Sequence, residues 1–388
     1  MSAPGFSVRF VESESQVDPE LWDACFAPPL EGRWWYSTLE QCGLEDQFSF
    51  LYGVIHRDGV AVGIAPAFSM NFPVALVAPP ALLRAIEWLG RIFPSLAYPR
   101  TLFVGSPCAD EGTVGMVRGV DSRSALLALQ QALEAQARAL GAALLVWKDF
   151  PASYAADLEW LAKQQRLFRV VSFPGTIVEL PGHSKEAYFA ALKGRRRHVL
   201  RKKLRHSAAR VEIRVEIVQR PDARMLDALF GLFWQTYEKA TTRFEKLNRR
   251  FFGIVATRPE SHFIVLRERS SDEIIAFMLC FDMGSTIINK FIGIDYRRPR
   301  DWLLYFRLWD TALDWALSRG AEAIQSGQTG YAPKIETGHR LVPLTNYCAH
   351  RNPVVHAIGR AFARHIDWST LDEDLARFIK AHPDTLPR

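Results

Sequence analysis

Two stretches of the chain, LEAQARALGAALLVWKDF (residues 133–150) and WDTALDWALSRGAEAIQS (residues 309–326), follow one plan. Each is the end of an Ala/Leu-rich helical pattern, then Gly-Ala, then an apolar run. A glycine at that place ends a helix in the left-handed conformation, and an apolar run directly after it reads as a buried strand. Outward from the first stretch, the helix begins at Ser122 and is preceded by a strand at Thr101–Gly105. Phe48–His56 and Val60–Phe68 flank Asp58-Gly59, the signature of a hairpin with a type I′ turn. A strand at Ser7–Val11, a helix capped by Asp18 before Pro19, and a helix at Trp34–Cys42 come first. Phe168–Leu180 reads as the last strand or strand pair of this half.

Outward from the second stretch, the same order returns. Ser184–Ser207 reads as a basic helix, Val211–Val218 as a strand and Asp222–Ala240 as an amphipathic helix. His262–Glu268 and Glu273–Asp282 form a hairpin, Thr286–Asp295 a strand and Leu303–Arg319 a helix. Arg340–His350 is a late strand and Val354–Ile366 a closing helix. A repeat this long implies duplicated domains rather than a solenoid. The turn-rich break at Pro181-Gly182-His183 sets the expected domains at 1–181 and 182–388. Each half joins an antiparallel meander to a strand–helix–strand crossover, so the class is α+β, or mixed α/β.

The composition agrees. The chain has 388 residues, 48% of them hydrophobic, enough for two cores, which excludes a disordered chain. The five cysteines, Cys25, Cys42, Cys108, Cys280 and Cys348, are scattered without a CxxC pair. That argues for reduced thiols and a cytoplasmic protein, and against a zinc cage or any other metal site. The N-terminus has no apolar leader pattern, and no uncharged apolar run reaches the ~18 residues of a membrane span. There is no G-x-S-x-G, no P-loop and no G-x-G-x-x-G.

Three segments resemble a known family. Tyr188-Phe189-Ala190-Ala191-Leu192 followed by Arg197-His198-Val199-Leu200-Arg201-Lys202 is similar to the helix that opens the second domain of Fem-like proteins. Phe291-Ile292-Gly293-Ile294-Asp295-Tyr296 leading into Leu303–Arg319 resembles the central strand and following helix of GNAT acyltransferases. Gly327, Tyr331-Ala332-Pro333-Lys334 and Gly338 resemble the family's glycine, tyrosine-lysine, glycine segment. The chain thus resembles the GNAT superfamily taken twice, in the two-domain, Fem-like branch of peptidoglycan-biosynthesis type.

That resemblance implies tandem GNAT-like domains, with the C-terminal one catalytic. It implies transfer of an acyl or aminoacyl group from an activated thioester or ester to an amine acceptor. The donor would be acyl-CoA, another anionic small molecule, or a tRNA-linked aminoacyl group. Lys334 is then the candidate cation for the oxyanion; its other reading is a solvated loop lysine. Tyr331 would protonate the leaving group or simply cap the core. Asp295 would accept a proton, or pair with Arg297 or Lys290. Gln328 would orient a substrate amide. The acetyl-CoA branch has a glycine loop after its central strand, where backbone N–H groups hold pyrophosphate. Here Arg297-Arg298-Pro299-Arg300-Asp301-Trp302 has no glycine, so the side chains of Arg297, Arg298 and Arg300 would meet the phosphates.

Between Lys193 and Arg210 stand nine Lys/Arg and no acidic residue. Such a block repels itself, so Arg197, Arg201 and Lys202 are candidate anion-binding residues. The alternative to an enzyme is a degenerate GNAT module that binds nucleic acid or a membrane surface without catalysis. Asn71–Ser95 is Pro-broken and strongly apolar. It reads as a helix packed on the first domain, or as an acyl-chain lid or interfacial segment touching a membrane surface.

Overall fold

The computed structural model describes residues 5–74, 88, 90, 91, 97–240, 243 and 245–382. The chain opens with β1 (Phe6–Val11), α1 (Pro19–Cys25), α2 (Arg33–Gln41), β2 (Ser49–Arg57), β3 (Val60–Asn71), β4 (Arg100–Val104) and β5 (Gly115–Met116). It continues through α3 (Ser122–Ala139), β6 (Leu144–Pro151), α4 (Ala155–Gln165), β7 (Phe168–Val171) and β8 (Gly175–Glu179). Next come α5 (Lys185–Ala191), α6 (Gly194–Arg210), β9 (Ile213–Val218), α7 (Ala223–Lys239), α8 (Arg249–Val255), β10 (Ser261–Glu268), β11 (Ile274–Asp282) and β12 (Thr286–Ile294). The last elements are α9 (Leu304–Ser318), β13 (Ala323–Gln325), α10 (Tyr331–Glu336), β14 (Arg340–Val342), β15 (Leu344–His350), α11 (Pro353–Ala363), α12 (Trp368–Leu371) and α13 (Glu373–Ala381).

Local chemistry accounts for most of these boundaries. Asp18 accepts from the N–H of Glu20 and Pro19 opens α1. Asp58 and Gly59 take φ of 49° and 83°, so the β2–β3 hairpin turns as its sequence requires. Gly141 and Gly320, at φ 68° and 72°, stop α3 and α9. The basic helix expected at Ser184–Ser207 is two helices, because the chain is extended at Leu192 (ψ 140°) and Lys193 (ψ 138°).

Two mixed sheets result. One runs β1-β2-β3-β4-β6-β15-β7, with β5 on β3; the other runs β14-β8-β13-β12-β11-β10-β9. The repeated segments hold equivalent places: α3 crosses between the parallel pair β4–β6, and α9 between the parallel pair β12–β13. This is the tandem GNAT-like arrangement. On the first sheet Leu126, Leu129, Leu133 and Leu161 bury against Trp147. On the second, Tyr188, Trp309 and Leu313 bury against Ile264 and Ile287. A third, aromatic core belongs to both halves. Trp34 meets Phe281 at 5.1 Å, and Trp35 meets Phe281 at 5.7 Å and Phe251 at 6.0 Å between ring centroids. All five cysteines are buried and unpaired.

The expected division at Pro181 does not separate the sheets. β8, which precedes it, sits in the second sheet between β13 and β14. β15, which lies far beyond it, sits in the first sheet between β6 and β7. Alternation of apolar residues marks a segment as a strand but carries no information about its partner, so Phe168–Leu180 read as one pair is in fact divided between the two sheets. Among the described residues no helix is long and apolar enough to cross a membrane. Asn71–Ser95, expected as a helix packed on the first domain or as an acyl-chain lid or interfacial segment, falls mostly outside the described residues.

The strand exchange predicts the behaviour of fragments. A chain ending at Pro181 lacks β15, leaving β7 unpaired from β6 and two bare edges. It should be aggregated or unfolded by size exclusion and far-UV circular dichroism. A monomeric fragment with a cooperative melt would contradict the exchange.

Candidate functional site

The parallel pair in each sheet is short, and its strands part where the two halves meet. β12 and β13 pair only over Thr286–Ile288 with Ala323–Gln325. β4 and β6 pair over Thr101–Val104 with Leu144–Trp147. Just past the first parting, the β11–β12 ladder has a bulge: Leu279 faces Phe291 and Cys280 faces Asn289, so Lys290 is the extra residue. A bulge re-aims a side chain. The Lys290 side chain is 1% exposed and crosses to the other half. Its ammonium bonds Glu31, lies 3.7 Å from Asp110 and sits 4.9 Å over the Trp35 ring.

Past the other parting stand Lys148 and Asp149. They pair with each other; Asp149 also accepts from the Ser172 hydroxyl, and its N–H donates to Asn346 at 2.7 Å. The N–H of Cys108 donates to Glu245 at 2.7 Å. Lysines and carboxylates are thus gathered where water is scarce. Burial works to lower the pKa of Lys290, but Asp110 and Glu31 hold it well above its ordinary value. Burial pushes the Glu31 carboxyl up against the pull of Lys290. Glu111 is raised to about 7, by burial first and then by the Asp110 and Glu31 carboxylates. Asp110 Oδ2 is buried with no hydrogen-bond partner among the described residues.

These carboxylates line a small cleft of about 50 Å³, walled by Glu31, Tyr36, Asp110 and Glu111 from one half and by Ile288 and Gln325 from the other. Leu30 and Thr113 also line a neighbouring cavity of about 330 Å³ on the first half, which reaches Ser122, Tyr154 and Asp157. Behind the cleft, the opening between β12 and β13 is bridged. Asn289 Nδ2 donates to Ser326 Oγ at 3.2 Å, and Ser326 Oγ lies 2.9 Å from His339 Nε2. His339 Nδ1 is 3.0 Å from the Lys334 carbonyl, and Trp309 packs on its ring at 4.7 Å.

The residues singled out in the sequence fall into three places. Lys334 is in α10 and buried, not on a loop surface; its ammonium donates to the carbonyls of Gly327 (3.3 Å) and Gln328 (3.0 Å). Burial lowers its pKa to about 8. Tyr331 is fully buried beside Trp368 and Leu375, and its hydroxyl donates to the Pro174 carbonyl at 2.9 Å. Gln328 donates to the Phe173 carbonyl at 2.9 Å. Tyr331 and Gln328 fasten the segment after β13 to the one before β8, and Lys334 ties α10 to the loop that precedes it.

Asp295 is elsewhere, at the far end of β12. It accepts from the N–H and guanidinium of Arg297 and from Arg298, and Arg298 also binds Glu268 and Glu273. Arg297 and Arg298 thus have carboxylate partners. The third group lies along α6. Arg197 reaches the Phe189 and Ala190 carbonyls, Arg201 lies 4.8 Å over the Phe189 ring, and Lys202 is exposed. The acidic partners absent from the block itself come from other segments: Glu336 binds Lys203 and Asp301 binds Arg210. Ser207 donates to the Trp302 carbonyl, which brings α6 and the exposed Arg300 beside the N-terminus of α9, where no side chain caps the helix.

Sequence reasoning missed Glu31, Asp110, Glu111 and Lys290 as a group. They come from three separate stretches of the chain, and no spacing links them. The one local hint was Trp147-Lys148-Asp149 at a strand end. Among the described residues no cluster of three or more His, Cys, Asp or Glu is arranged to hold a metal ion.

Comparison with known proteins adds to this geometry. A family model, FemAB-like, described as peptidoglycan biosynthesis/recognition, matches residues 118–377. No curated protein matches the sequence. The crystal structure of FemX superposes with a TM-score of 0.58 at 13% identity, covering 90% of this chain and 99% of that one. A tandem GNAT protein from the clavulanic acid biosynthesis pathway gives 0.54 at 10% identity, covering 89% and 99%. A conserved protein of unknown function from Bacteroides thetaiotaomicron gives 0.52 at 12% identity, covering 88% and 99%. At these identities the likeness is one of fold.

The polar bridge behind the cleft predicts acid sensitivity. Burial, then the Lys334 charge, push His339 down to about 3 from its ordinary 6.5. Because the folded value is the lower one, the fold holds the neutral ring, and stability is lost as pH falls from 6.5 towards 3. This residue should cost about 3 kcal/mol by pH 4. Urea unfolding at pH 7 and pH 4 should show a smaller acid loss for His339→Gln; equal losses would remove His339 as the cause.

Proposed function

The chain belongs to the FemAB-like family, and from that premise we propose that it transfers an acyl or aminoacyl group from an activated ester or thioester to an amine. The observation that carries this reading is the cleft between the halves, where Glu111, at a pKa of about 7, stands beside Asp110, whose Oδ2 has no partner among the described residues. A carboxylate poised near neutral pH is suited to take a proton from an ammonium. Three carboxylates, Glu31, Asp110 and Glu111, wall the cleft and Lys290 pairs with the first two, so the cleft favours a cationic group from outside.

In this reading the acceptor ammonium enters among Glu31, Asp110 and Glu111, and Glu111 takes its proton. The freed amine attacks the donor carbonyl, the new C–N bond forms, and the C–O or C–S bond of the donor breaks. As that bond breaks, the second N–H proton of the attacking nitrogen passes to the leaving oxygen or sulfur, and Glu111 releases the first proton to solvent. The edge of β12 past Ile288, no longer paired with β13, supplies backbone donors to the oxyanion. Lys334 and Tyr331 are positioning residues that hold the loop after β13. The donor's anionic part lies towards Arg300 and α6, at the uncapped start of α9. Acyl-CoA and aminoacyl-tRNA both present phosphates there, and the glycine-free loop at 297–302 leaves their recognition to side chains.

One observation favours a second reading. Asn289 and Ser326 bridge the opening between β12 and β13, as suits a module that binds an anionic partner without catalysis. The readings separate when the protein is incubated with acetyl-CoA, long-chain acyl-CoA or charged tRNA and a panel of amines. Mass spectrometry would follow amide formation, and thermal melting would follow binding. Glu111→Gln should lower turnover by about 10²–10⁴. It should also abolish a rise in rate through pH 7 while leaving the melting temperature nearly unchanged. Turnover close to wild type in Glu111→Gln would remove it as the base. Saturable donor binding without any amide would favour the binding module.

A further inference from the structure

Helix α11 rests on the edge of the first sheet, with Gly359 against the Phe168 ring, His356 at 5.0 Å from that ring and Ala363 buried. Its apolar content is not used up there. Val354, Val355, Ile358 and Phe362 are 65%, 39%, 55% and 38% exposed. At ~100° per residue these four positions fall within about 100° of the helix surface, so they form one outward stripe. Exposed apolar residues are common singly, but a continuous stripe on one helix marks a surface that something covers.

The surroundings say what. From Thr337 to Ile366 the sequence holds no Asp or Glu and four arginines, Arg340, Arg351, Arg360 and Arg364. The last three are exposed. Arg100 is brought to the same end of the sheet by backbone pairing. The Ala143 N–H donates to the Arg100 carbonyl, and the Arg351 N–H donates to the Ala143 carbonyl, both at 2.8 Å. Tyr98, two residues before Arg100, is 56% exposed. An outward apolar stripe with arginines at its start and flank, an exposed tyrosine nearby and no acidic residue in the segment is complementary to an apolar layer beneath anionic headgroups.

We infer that α11 docks this protein on an anionic lipid surface, with Val354, Val355, Ile358 and Phe362 entering the headgroup boundary and Arg351, Arg360 and Arg364 meeting lipid phosphates. The inference does not depend on the activity proposed for the cleft. The full chain is sedimented with vesicles of phosphatidylcholine alone and of phosphatidylcholine with phosphatidylglycerol. It should partition onto the phosphatidylglycerol vesicles about tenfold or more above the neutral ones, and added salt should weaken this. Ile358→Glu/Phe362→Glu, and separately Arg351→Gln/Arg360→Gln/Arg364→Gln, should each lower partitioning by about tenfold. Thermal melting should be unchanged, because the altered side chains are exposed. Equal partitioning of wild type and the glutamate variant would overturn the proposal. So would absence of binding to either vesicle, or a light-scattering mass showing that the stripe instead pairs two copies of the chain and that the glutamate variant separates them.

Discussion

The insertion of β15 between β6 and β7 is the constraint on which the rest of the molecule depends. A strand paired on both edges gives up a full ladder of hydrogen bonds if it leaves, and β15 is tied to the second half through β14, which pairs with β8. β8 is in turn the continuation of β7. The two sheets are therefore threaded through each other, and the aromatic core around Trp35 and Phe281 fills the space they share. Such a molecule does not hinge at the middle of its sequence. A cleft whose walls come from both halves keeps its shape, which is what a site for oriented transfer requires.

Within that frame the junction is organised by charge. Taking a lysine out of water is costly unless carboxylates surround it. Lys290 meets that condition between Glu31 and Asp110, at the one position in β12 where a bulge turns the side chain towards the other half. Once those carboxylates are fixed for Lys290, they raise the neighbouring Glu111. The poise of that carboxyl near neutral pH thus comes from its burial first, and then from the carboxylates of the same ionic contact that joins the halves.

Much of the fold was legible because its signals are local. The turn at Asp58-Gly59, the stops at Gly141 and Gly320, the cap at Asp18 and the repeat around the two Gly-Ala pairs each act within a few residues. The exchange of β8 and β15 was not legible, since strand periodicity is identical whichever sheet receives the strand. The site was read poorly for a related reason. Tyr331, Lys334 and Gln328 were noticed because they sit in a distinctive segment, and that segment is distinctive because it must be tied down, by hydrogen bonds to the carbonyls of Pro174, Gly327, Gln328 and Phe173. Asp295 was noticed at a strand end and proves to hold the turn after it. Glu31, Asp110, Glu111 and Lys290 meet only in three dimensions. The run of nine basic residues looked unbalanced because two of its counter-charges, Asp301 and Glu336, belong to other segments.

The threading also bears on how the chain comes to be folded as it is made. β6 ends at Pro151 and β15 begins at Leu344. At ~5–20 residues per second, roughly 10–40 s of synthesis separates the edge of the first sheet from the strand that completes it. During that time β6 and β7 present open edges, and the nascent chain is in the state most prone to join its neighbours on the same messenger. The early part of this protein is thus a natural client for a ribosome-bound holdase, and its yield in a cell should depend on how quickly the last hundred residues emerge.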